Sequence, residues 1–263
     1  MKIAIAGATG TVGRHAARVA EQRGHEVVGL SRSLGTDLVS GNGLEEILHG
    51  VDAVIDVGNV QTTSTAASVD FFRTTSANLL AAEKSAGVRH HIALSIVGID
   101  PVDSGYYAGK LEQERVVSAG EVPWTILRAT QFHEFAEQTL ARTTFGPFVL
   151  MPVATLQPVA SAEVATSPVS LAEGEPRGRA ADLGGPRVES LVDMARRYVR
   201  AAGIRKPVVP LRAPGALFSA MHRGALLAGV GATLGSQTFN EWLEERTRAG
   251  RLAGPDHAGG RPD

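Results

Sequence analysis

The residues with the clearest chemical potential are a tyrosine and a lysine four positions apart. Tyr106 and Lys110 fall in a segment with a helical pattern, so their side chains share one face of that helix. A free phenol, with a pKa of about 10, is a weak proton donor, but a nearby ammonium stabilises the phenolate and lowers that pKa. Such a pair can deliver the proton that a carbonyl oxygen needs while hydride reaches its carbon. Tyr107, three residues before Lys110, is the alternative phenol.

Ser95 and Lys110 have further roles in the same chemistry. Ser95 follows the apolar run 92–94 and could donate a hydrogen bond to the carbonyl oxygen. A serine that caps the end of a strand is nearly as good an interpretation of Ser95. The Lys110 ammonium could also hold the hydroxyl groups of a cofactor ribose, which makes it a candidate cofactor contact as well as a partner of the phenol.

A second chemical feature is a glycine-rich turn at the start of the chain. It follows the apolar run 3–6, opens a helical pattern, and consists of Gly7, Ala8, Thr9, Gly10, Thr11, Val12 and Gly13. The first glycine permits a sharp exit from a strand, the second lets the backbone approach a pyrophosphate, and the third lets the helix pack closely. Amides at the helix start then bind phosphate, aided by the helix dipole. The turn predicts a dinucleotide site, with a purely structural glycine turn as the alternative.

The end of the second predicted strand indicates which dinucleotide binds. Sites that prefer NAD place a carboxylate there to accept hydrogen bonds from the ribose 2′-hydroxyl. Here the strand runs into Ser31, Arg32 and Ser33, and Arg32 lies 19 residues after Gly13. A guanidinium can hold a 2′-phosphate with two hydrogen bonds, and the serines can add hydroxyl donors. The sequence therefore favours NADP(H) over NAD(H), although a solvated surface arginine is the plain alternative.

The elements that must position these residues alternate between strand and helix as far as about residue 130. Predicted strands at 3–6, 27–30, 53–57, 92–94 and 124–127 are separated by helical segments, as expected of a parallel sheet covered on both faces. With the glycine turn after the first strand, a doubly wound α/β sheet is the best fit. Gly58 and Asn59 come just past the strand 53–57, where a dinucleotide would bind at the carboxyl ends of the strands.

Several stretches resemble the short-chain dehydrogenase/reductase superfamily, in its atypical or extended NmrA-like branch. They are GATGTVGRHAARVAEQRGHEVVGLSR at the start, Gly50-Val51-Asp52-Ala53-Val54, Asn78-Leu79-Leu80-Ala81-Ala82, Tyr106 with Lys110, and Trp124-Thr125-Ile126-Leu127-Arg128. The resemblance covers roughly residues 1–135 and implies a Rossmann-type fold. It implies that 53–57 is the fourth strand and 92–94 the fifth. It also implies that Asp37 and Leu38 contact the adenine ring. An equally good interpretation is that the Asp37 carboxylate stabilises its own turn.

The function that this resemblance implies is hydride transfer between NADP(H) and a small carbonyl, quinone or related acceptor. Under this resemblance, Ser95, Tyr106 and Lys110 match the superfamily's Ser-Tyr-Lys catalytic set in chain order. The alternatives are a non-catalytic NADP(H)-binding redox-sensing regulator, as some NmrA-like proteins are, and an assembly protein that keeps the cofactor for structural reasons.

The C-terminal half has a different composition. We expect residues 1–145 to form the dinucleotide-binding core and 146–247 a smaller substrate-side region interleaved with it. A disordered tail is expected at 248–263, where large apolar residues are nearly absent. Candidate pocket residues are Gln131, Phe132, His133 and Gln157. Arg128 could orient cofactor or substrate, or pack against Glu134.

The composition excludes several classes of protein. The 263 residues carry a net charge of −1 and no cysteine, so disulfides and thiolate metal sites are excluded. That charge gives no global attraction to nucleic acid or to anionic membranes, so neither partner is expected, although a local basic patch is not excluded. No GxSxG nucleophile motif occurs. His90, His91 and His133 lack metal-ligand spacing, and the first two are expected at a partly exposed strand edge. We expect a cytoplasmic protein without a metal.

Overall fold

The computed structural model describes residues 1–212 and 215–252, and its elements are numbered along the chain. The helices are α1 (Thr11–Gln22), α2 (Leu44–Ile47), α3 (Thr65–Ala86), α4 (Gly105–Ala119), α5 (Phe135–Thr143), α6 (Ser161–Ala172), α7 (Leu191–Ala201), α8 (Ala216–His222) and α9 (Phe239–Arg248). The strands are β1 (Lys2–Ala6), β2 (Glu26–Leu30), β3 (Ala53–Asp56), β4 (His90–Ile96), β5 (Trp124–Ala129), β6 (Thr144–Phe145), β7 (Phe148–Pro152), β8 (Thr155–Leu156), β9 (Gly178–Arg179), β10 (Leu183–Gly184), β11 (Glu189–Ser190), β12 (Val208–Leu211) and β13 (Thr233–Leu234).

The chain divides into two compact units. Unit 1 contains residues 1–129 and 161–182, and unit 2 contains residues 130–160 and the described residues from 183 onward. These units differ from the expected boundary at residue 145, because residues 130–145 belong to unit 2 and 161–182 return to unit 1. Helix α9 ends at Arg248, and the part of the expected tail from residue 253 onward lies outside the described residues.

Unit 1 is built on a parallel sheet in the order β2-β1-β3-β4-β5-β9. Adjacent residues of β4 point to opposite faces: His91 contacts Glu83 of α3, and His90 lies beside Gly174, which follows α6. Helices thus cover both faces, and the expected Rossmann-type doubly wound fold is confirmed. Continuous apolar runs such as 3–6 and 53–55 form strands here because both faces of the sheet are buried.

The sheet lacks one strand that the sequence comparison with the superfamily implied. Residues 31–52, all of them described, contain a 3₁₀ turn (Arg32–Leu34) and α2 but no strand. Strand β3 therefore pairs directly with β1, so 53–57 supplies the third strand in chain order and 92–94 the fourth. Helix α2 and the loop before it instead cover the apolar side chains of β1 and β3 through Leu44 and Leu48.

Unit 2 consists of α5, α7, α8 and α9 with short strands. A three-stranded sheet has the order β12-β7-β6, β8 pairs with β11, and β10 pairs with β13. Helix α9 begins with a capping box: the Thr238 hydroxyl accepts from the Glu241 amide, and the Glu241 carboxylate accepts from the Thr238 amide at 2.8 Å. Among the described residues no helix is both long and apolar enough to cross a bilayer.

Candidate functional site

The glycine turn after β1 has the geometry of a phosphate-binding loop. Gly7 has a φ of +80°, and a side chain there would meet the Val57 carbonyl oxygen at 2.9 Å. A Cβ at Gly13 would lie 2.1 Å from the Gly7 carbonyl oxygen, so α1 starts in direct contact with the turn. Gly10 caps α1 without any side-chain hydrogen bond, and its first turn contains no acidic residue. The first amides of α1 are thus left for an external acceptor such as phosphate.

Hydroxyl groups join this turn to the end of β2. Ser33 Oγ donates to Thr9 Oγ1 at 3.3 Å and lies 3.1 Å from Ser31 Oγ. Arg32 lies between the two serines and is exposed. Arg14 Nη1 donates to the Thr9 carbonyl oxygen at 3.2 Å, which brings a second guanidinium to the turn. The predicted Ser31 and Ser33 therefore lie beside Thr9 of the turn, with Arg14 nearby, and a contact between Arg32 and a 2′-phosphate stays a prediction.

Asp37 engages its own loop. Its Oδ1 accepts from the Val39 amide at 3.0 Å, as in an Asx turn. Leu38 is half-buried against the core cluster beneath the sheet edge, and Asn78 of α3 donates to the Leu38 and Val39 carbonyl oxygens at 3.0 and 2.9 Å. This geometry agrees with a turn role for Asp37, and the adenine contact stays a prediction.

We expect Arg32→Asp to reverse or narrow a preference for NADPH over NADH. The change removes a donor for the 2′-phosphate and adds a charge that repels it, while a carboxylate can accept from the 2′-hydroxyl of NADH. Fluorescence titration with both cofactors measures the two dissociation constants. Arg18→Asp, an exposed arginine two helical turns into α1, serves as the control for charge alone. Equal affinities for NADPH and NADH in the unaltered chain would remove the basis for this assignment.

Asp56 is a buried carboxylate that the sequence reasoning missed. It ends β3, where its Oδ1 accepts from the Gly58 amide at 2.9 Å and its Oδ2 accepts from Gln113 Nε2 at 2.7 Å. One carboxylate thus connects the Gly58 backbone, which borders the glycine turn at Gly7, with helix α4. The predicted cofactor contacts Gly58 and Asn59 follow directly, half-buried and exposed respectively.

Lys110 is buried on α4 and points toward the sheet. Its Nζ donates to the Leu94 carbonyl oxygen at 2.6 Å and to Gln113 Oε1, and it lies 4.8 Å from the centre of the Phe72 ring. Burial lowers the pKa of Lys110 from 10.5 to about 8, although the Asp56 and Glu114 carboxylates act in the opposite direction. The result is an ordered chain of hydrogen bonds, Lys110–Gln113–Asp56, beneath the carboxyl ends of β3 and β4.

The lowered pKa of Lys110 predicts a pH dependence of stability. Between about pH 8 and 10.5 the unfolded chain holds a proton on this lysine that the folded chain has released. The free energy of unfolding should therefore rise across this window, by up to about 3 kcal/mol for a shift of this size. Lys110→Met removes the group, so the variant should lack this rise in chemical denaturation curves measured at both ends of the window. Parallel pH curves for the two proteins would contradict the assignment.

The two tyrosines differ in exposure. Tyr107 is buried, whereas Tyr106 is half-buried and packs edge-on against Phe72, with ring centres 5.7 Å apart. Burial raises the pKa of both phenols, and for Tyr106 the neighbouring Tyr107 and Asp56 add to this shift. The expected lowering of a phenol pKa by Lys110 is therefore not found, because the ammonium is directed to Leu94 and Gln113. Tyr106 stays protonated at neutral pH, the state that a proton donor requires.

Helix α4 can sit this close to α3 because of Gly109. A Cβ at Gly109 would lie 2.1 Å from Ser68 Oγ, and Ser68 Oγ itself donates to the Tyr106 carbonyl oxygen at 3.2 Å. This close contact between α3 and α4 holds the first turn of α4, which contains Tyr106, against α3.

Ser95 lies inside β4, one residue before its end, and not past it. Its side chain is buried, and its Oγ has no hydrogen-bond partner among residues 1–212 and 215–252. It is register-paired with Arg128 in β5. A buried hydroxyl left unsatisfied is costly, which is consistent with a group that takes a partner only when a ligand is present.

Arg128 lies at the centre of a network of two carboxylates within unit 1. Its guanidinium donates to both carboxylate oxygens of Glu114 (2.7 and 2.8 Å) and to both of Asp100 (2.5 and 2.8 Å). The hydrogen bonds from Arg128 lower the pKa of Asp100, although burial opposes the shift. This network fixes β5, α4 and the loop after β4 relative to one another.

His90 and His91 are buried, which corrects the expectation of an exposed edge. Strand β4 lies between β3 and β5, so both of its edges are paired, and helices cover both of its faces. His91 Nδ1 lies 2.8 Å from Glu83 Oε1; burial disfavours its charged form, but the Glu83 carboxylate outweighs this and raises the pKa of His91. His90 Nε2 lies 2.8 Å from Thr125 Oγ1.

The four candidate pocket residues belong to unit 2. The Gln157 side chain donates to the Gly185 carbonyl oxygen at 2.9 Å and accepts from the Ala228 amide at 3.0 Å. His133 packs against the Phe239 and Trp242 rings. These two side chains therefore have structural roles within unit 2. Gln131 is buried and Phe132 forms a bridge to Val159, and a pocket role for either stays a prediction.

Comparison with known proteins agrees with this geometry. A family model described as NAD(P)H-binding matches residues 7–166, which include the glycine turn, Asp56 and the α4 cluster. The chain belongs to this NAD(P)H-binding family. The resemblance to the short-chain dehydrogenase/reductase superfamily is confirmed with it. A turn that admits no Cβ at Gly7 or Gly13 and a helix start without a side-chain cap fit cofactor phosphates, and the individual contacts stay a prediction.

Relatives and solved structures extend the comparison. The NAD(P)H-binding chain is 27% identical over 225 residues to a (4-alkanoyl-5-oxo-2,5-dihydrofuran-3-yl)methyl phosphate reductase of Streptomyces griseus subsp. griseus, covering 76% of this chain and 74% of the relative. An NADPH-dependent quinone oxidoreductase from Escherichia coli, solved with NADPH, superposes with a TM-score of 0.67 at 17% identity, covering 92% and 99% of the two chains. A UDP-glucose-4-epimerase from Stenotrophomonas maltophila with bound NAD gives 0.69 at 17% identity, covering 95% and 99%.

Asp56 and Gln113 could have been found from the sequence. Gln113 stands three residues after Lys110, on the same helical face, and Asp56 is a charged residue at the end of an otherwise apolar strand. Neither signal names a partner, because the rotation of α4 over β3 is set by long-range packing.

Proposed function

We propose that this chain is an NADP(H)-dependent oxidoreductase that moves hydride to or from a small carbonyl, quinone or related acceptor. The observation that carries the proposal is the joint position of the glycine turn and the Asp56–Gln113–Lys110 chain at the carboxyl edge of one parallel sheet. Both groups belong to unit 1, and Gly58 links them. Family membership supports the nicotinamide cofactor, and Arg32 with Arg14 supports the phosphorylated form.

The names of the compared proteins point the same way. The Streptomyces relative is a reductase, and the Escherichia coli structure is an NADPH-dependent quinone oxidoreductase. The epimerase structure holds NAD, so the choice of NADP(H) here depends on Arg32 and the serines beside it. A place in the cytoplasm is part of the proposal, since a chain without cysteine needs no oxidising compartment.

The chain's own residues would divide the work as follows. The amides at the start of α1 would bind the pyrophosphate, and Lys110, held by Leu94 and Gln113, would hold the ribose hydroxyls. When bound, the nicotinamide supplies or accepts hydride. Tyr106 gives its phenolic proton to the carbonyl oxygen as negative charge develops there, and Ser95 Oγ donates a hydrogen bond to the same oxygen. Asp56 and Gln113 are positioning residues, because they act on Lys110 and on the Gly58 backbone.

A spectrophotometric screen tests the proposal. NADPH oxidation is followed over a panel of quinones, ketones and aldehydes, with NADH in parallel. Turnover of at least one acceptor, faster with NADPH, is the expected result. No turnover over the whole panel, together with clearly unequal affinities for NADP⁺ and NADPH, would instead establish a redox-sensing regulator and overturn the enzymatic proposal.

A further inference from the structure

One face of the three-stranded sheet in unit 2 is apolar and open to solvent. Neighbouring residues of a strand point to opposite sides, and Val149 and Met151 are buried on the side that packs against α5 and α7. The register places the other side chains together on the outer side, which we call the outer face: Phe145, Phe148, Leu150, Val209 and Leu211. Phe145 is 64% exposed, Phe148 47%, Leu211 44% and Val209 38%. A soluble monomer rarely leaves such a contiguous patch bare without a use for it.

Cations flank this outer face. Arg205 and Lys206 precede β12, and Arg212 follows it, so both ends of that strand carry positive charge. Arg142 comes at the end of α5, just before β6. None of these four side chains forms an ion pair within the part of the chain that the structure describes. They are therefore available to a negatively charged surface.

The excess of positive charge extends beyond these four flanking cations. Residues 194–240 contain seven lysines and arginines and no aspartate or glutamate, although the whole chain has a net charge of −1. Arg196 and Arg197 pair with Asp193 and Glu189, which leaves five of these cations without an ion pair among the described residues. The expectation that no membrane would be bound was drawn from that total. The net charge of the whole chain does not describe this region, because positive charge is concentrated in this part of unit 2.

We propose that the outer face docks on the surface of an anionic lipid bilayer. Phe145 and Phe148, on the β6–β7 hairpin, enter the headgroup boundary, and the flanking cations meet the lipid phosphates. A second copy of the chain fits the outer face less well, because a two-fold interface would place the flanking cations of one copy against those of the other. This surface role goes beyond the proposed reductase activity and does not depend on it.

Co-sedimentation of the full chain with vesicles tests this. Binding to vesicles of phosphatidylcholine with phosphatidylglycerol is expected, with little binding to phosphatidylcholine alone and weakening at high salt. Arg205→Gln with Lys206→Gln should lower the partition coefficient about 25-fold, at roughly fivefold for each cation. Phe145→Ser with Phe148→Ser should lower it by at least about tenfold, given the apolar area removed.

Matched controls keep the result specific. Val188→Ser with Leu234→Ser removes apolar residues that are 56% and 55% exposed elsewhere in unit 2, and Arg248→Gln removes an exposed cation on α9; both should bind vesicles as the unaltered chain does. Circular dichroism confirms that each variant is folded. Equal binding to both vesicle types, loss of binding in the controls, or no vesicle binding at all would overturn the proposal. In the last case, a concentration-dependent dimer that Phe145→Ser with Phe148→Ser dissolves would assign the face to a second copy of the chain.

Discussion

Replacing Tyr106 by phenylalanine is expected to lower turnover of an accepted substrate by about two to four orders of magnitude, the usual contribution of a positioned acid. The change removes one hydroxyl and keeps the ring against Phe72. NADPH affinity should persist, because the glycine turn is made by other residues. Steady-state kinetics with a cofactor titration separates the two quantities.

Two companion variants make the result decisive. Tyr107→Phe should be mild, since that phenol is buried inside the α4 packing. Lys110→Met should weaken both cofactor binding and rate, because the proposed function assigns the ribose hydroxyls to this lysine and places it one helical turn after Tyr106. A rate that survives Tyr106→Phe and is lost in Tyr107→Phe would reassign the acid. Indifference to both changes would mean that hydride transfer proceeds without a tyrosine acid.

Gly13→Ala is expected to weaken NADPH binding by about a hundredfold. The added Cβ would lie 2.1 Å from the Gly7 carbonyl oxygen, so α1 must move away from the turn. The amides at the helix start then no longer point at the phosphates, so one or two hydrogen bonds are lost. Each hydrogen bond to a charged group contributes about 1.5–3 kcal/mol. Isothermal titration calorimetry measures the loss.

The controls for this prediction come from other glycines. Gly229 has open space around it and no positive φ, so Gly229→Ala should leave binding unchanged. Gly10→Ala, whose Cβ would meet the Gly7 oxygen at 3.1 Å, should give a smaller loss and remains useful if Gly13→Ala does not fold. Unchanged NADPH affinity in a folded Gly13→Ala protein would show that the phosphates bind elsewhere.

Local signals predicted the parts of this molecule that depend on neighbouring residues. The apolar runs of β1 and β3, the glycine that ends α3 and the Thr238 capping box each act within a few residues, so they are readable from the sequence. Helix α6 was missed because its sequence is rich in alanine and serine and contains Pro168, a residue that usually interrupts helices.

The candidate site was predictable in composition but not in arrangement. The type and spacing of the glycines, Tyr106 and Lys110 identify them as candidate site residues in the sequence. Two features depend instead on which strand becomes central and how α4 is rotated: the burial of His90 and His91, and the direction of Lys110 toward Gln113. Those are outcomes of long-range packing, and a single sequence holds no local record of them.

The return of residues 161–182 to unit 1 has a consequence for biosynthesis. Helix α6 packs against α1 and against β3, β4 and β5, and Glu173 bonds Arg23 and His25. A nascent chain therefore cannot complete its nucleotide-binding half until the ribosome has added the 31 residues 130–160, which belong to the other half. A fragment ending at residue 145 would leave one flank of its sheet bare, so it would be a poor expression product and a target for chaperones.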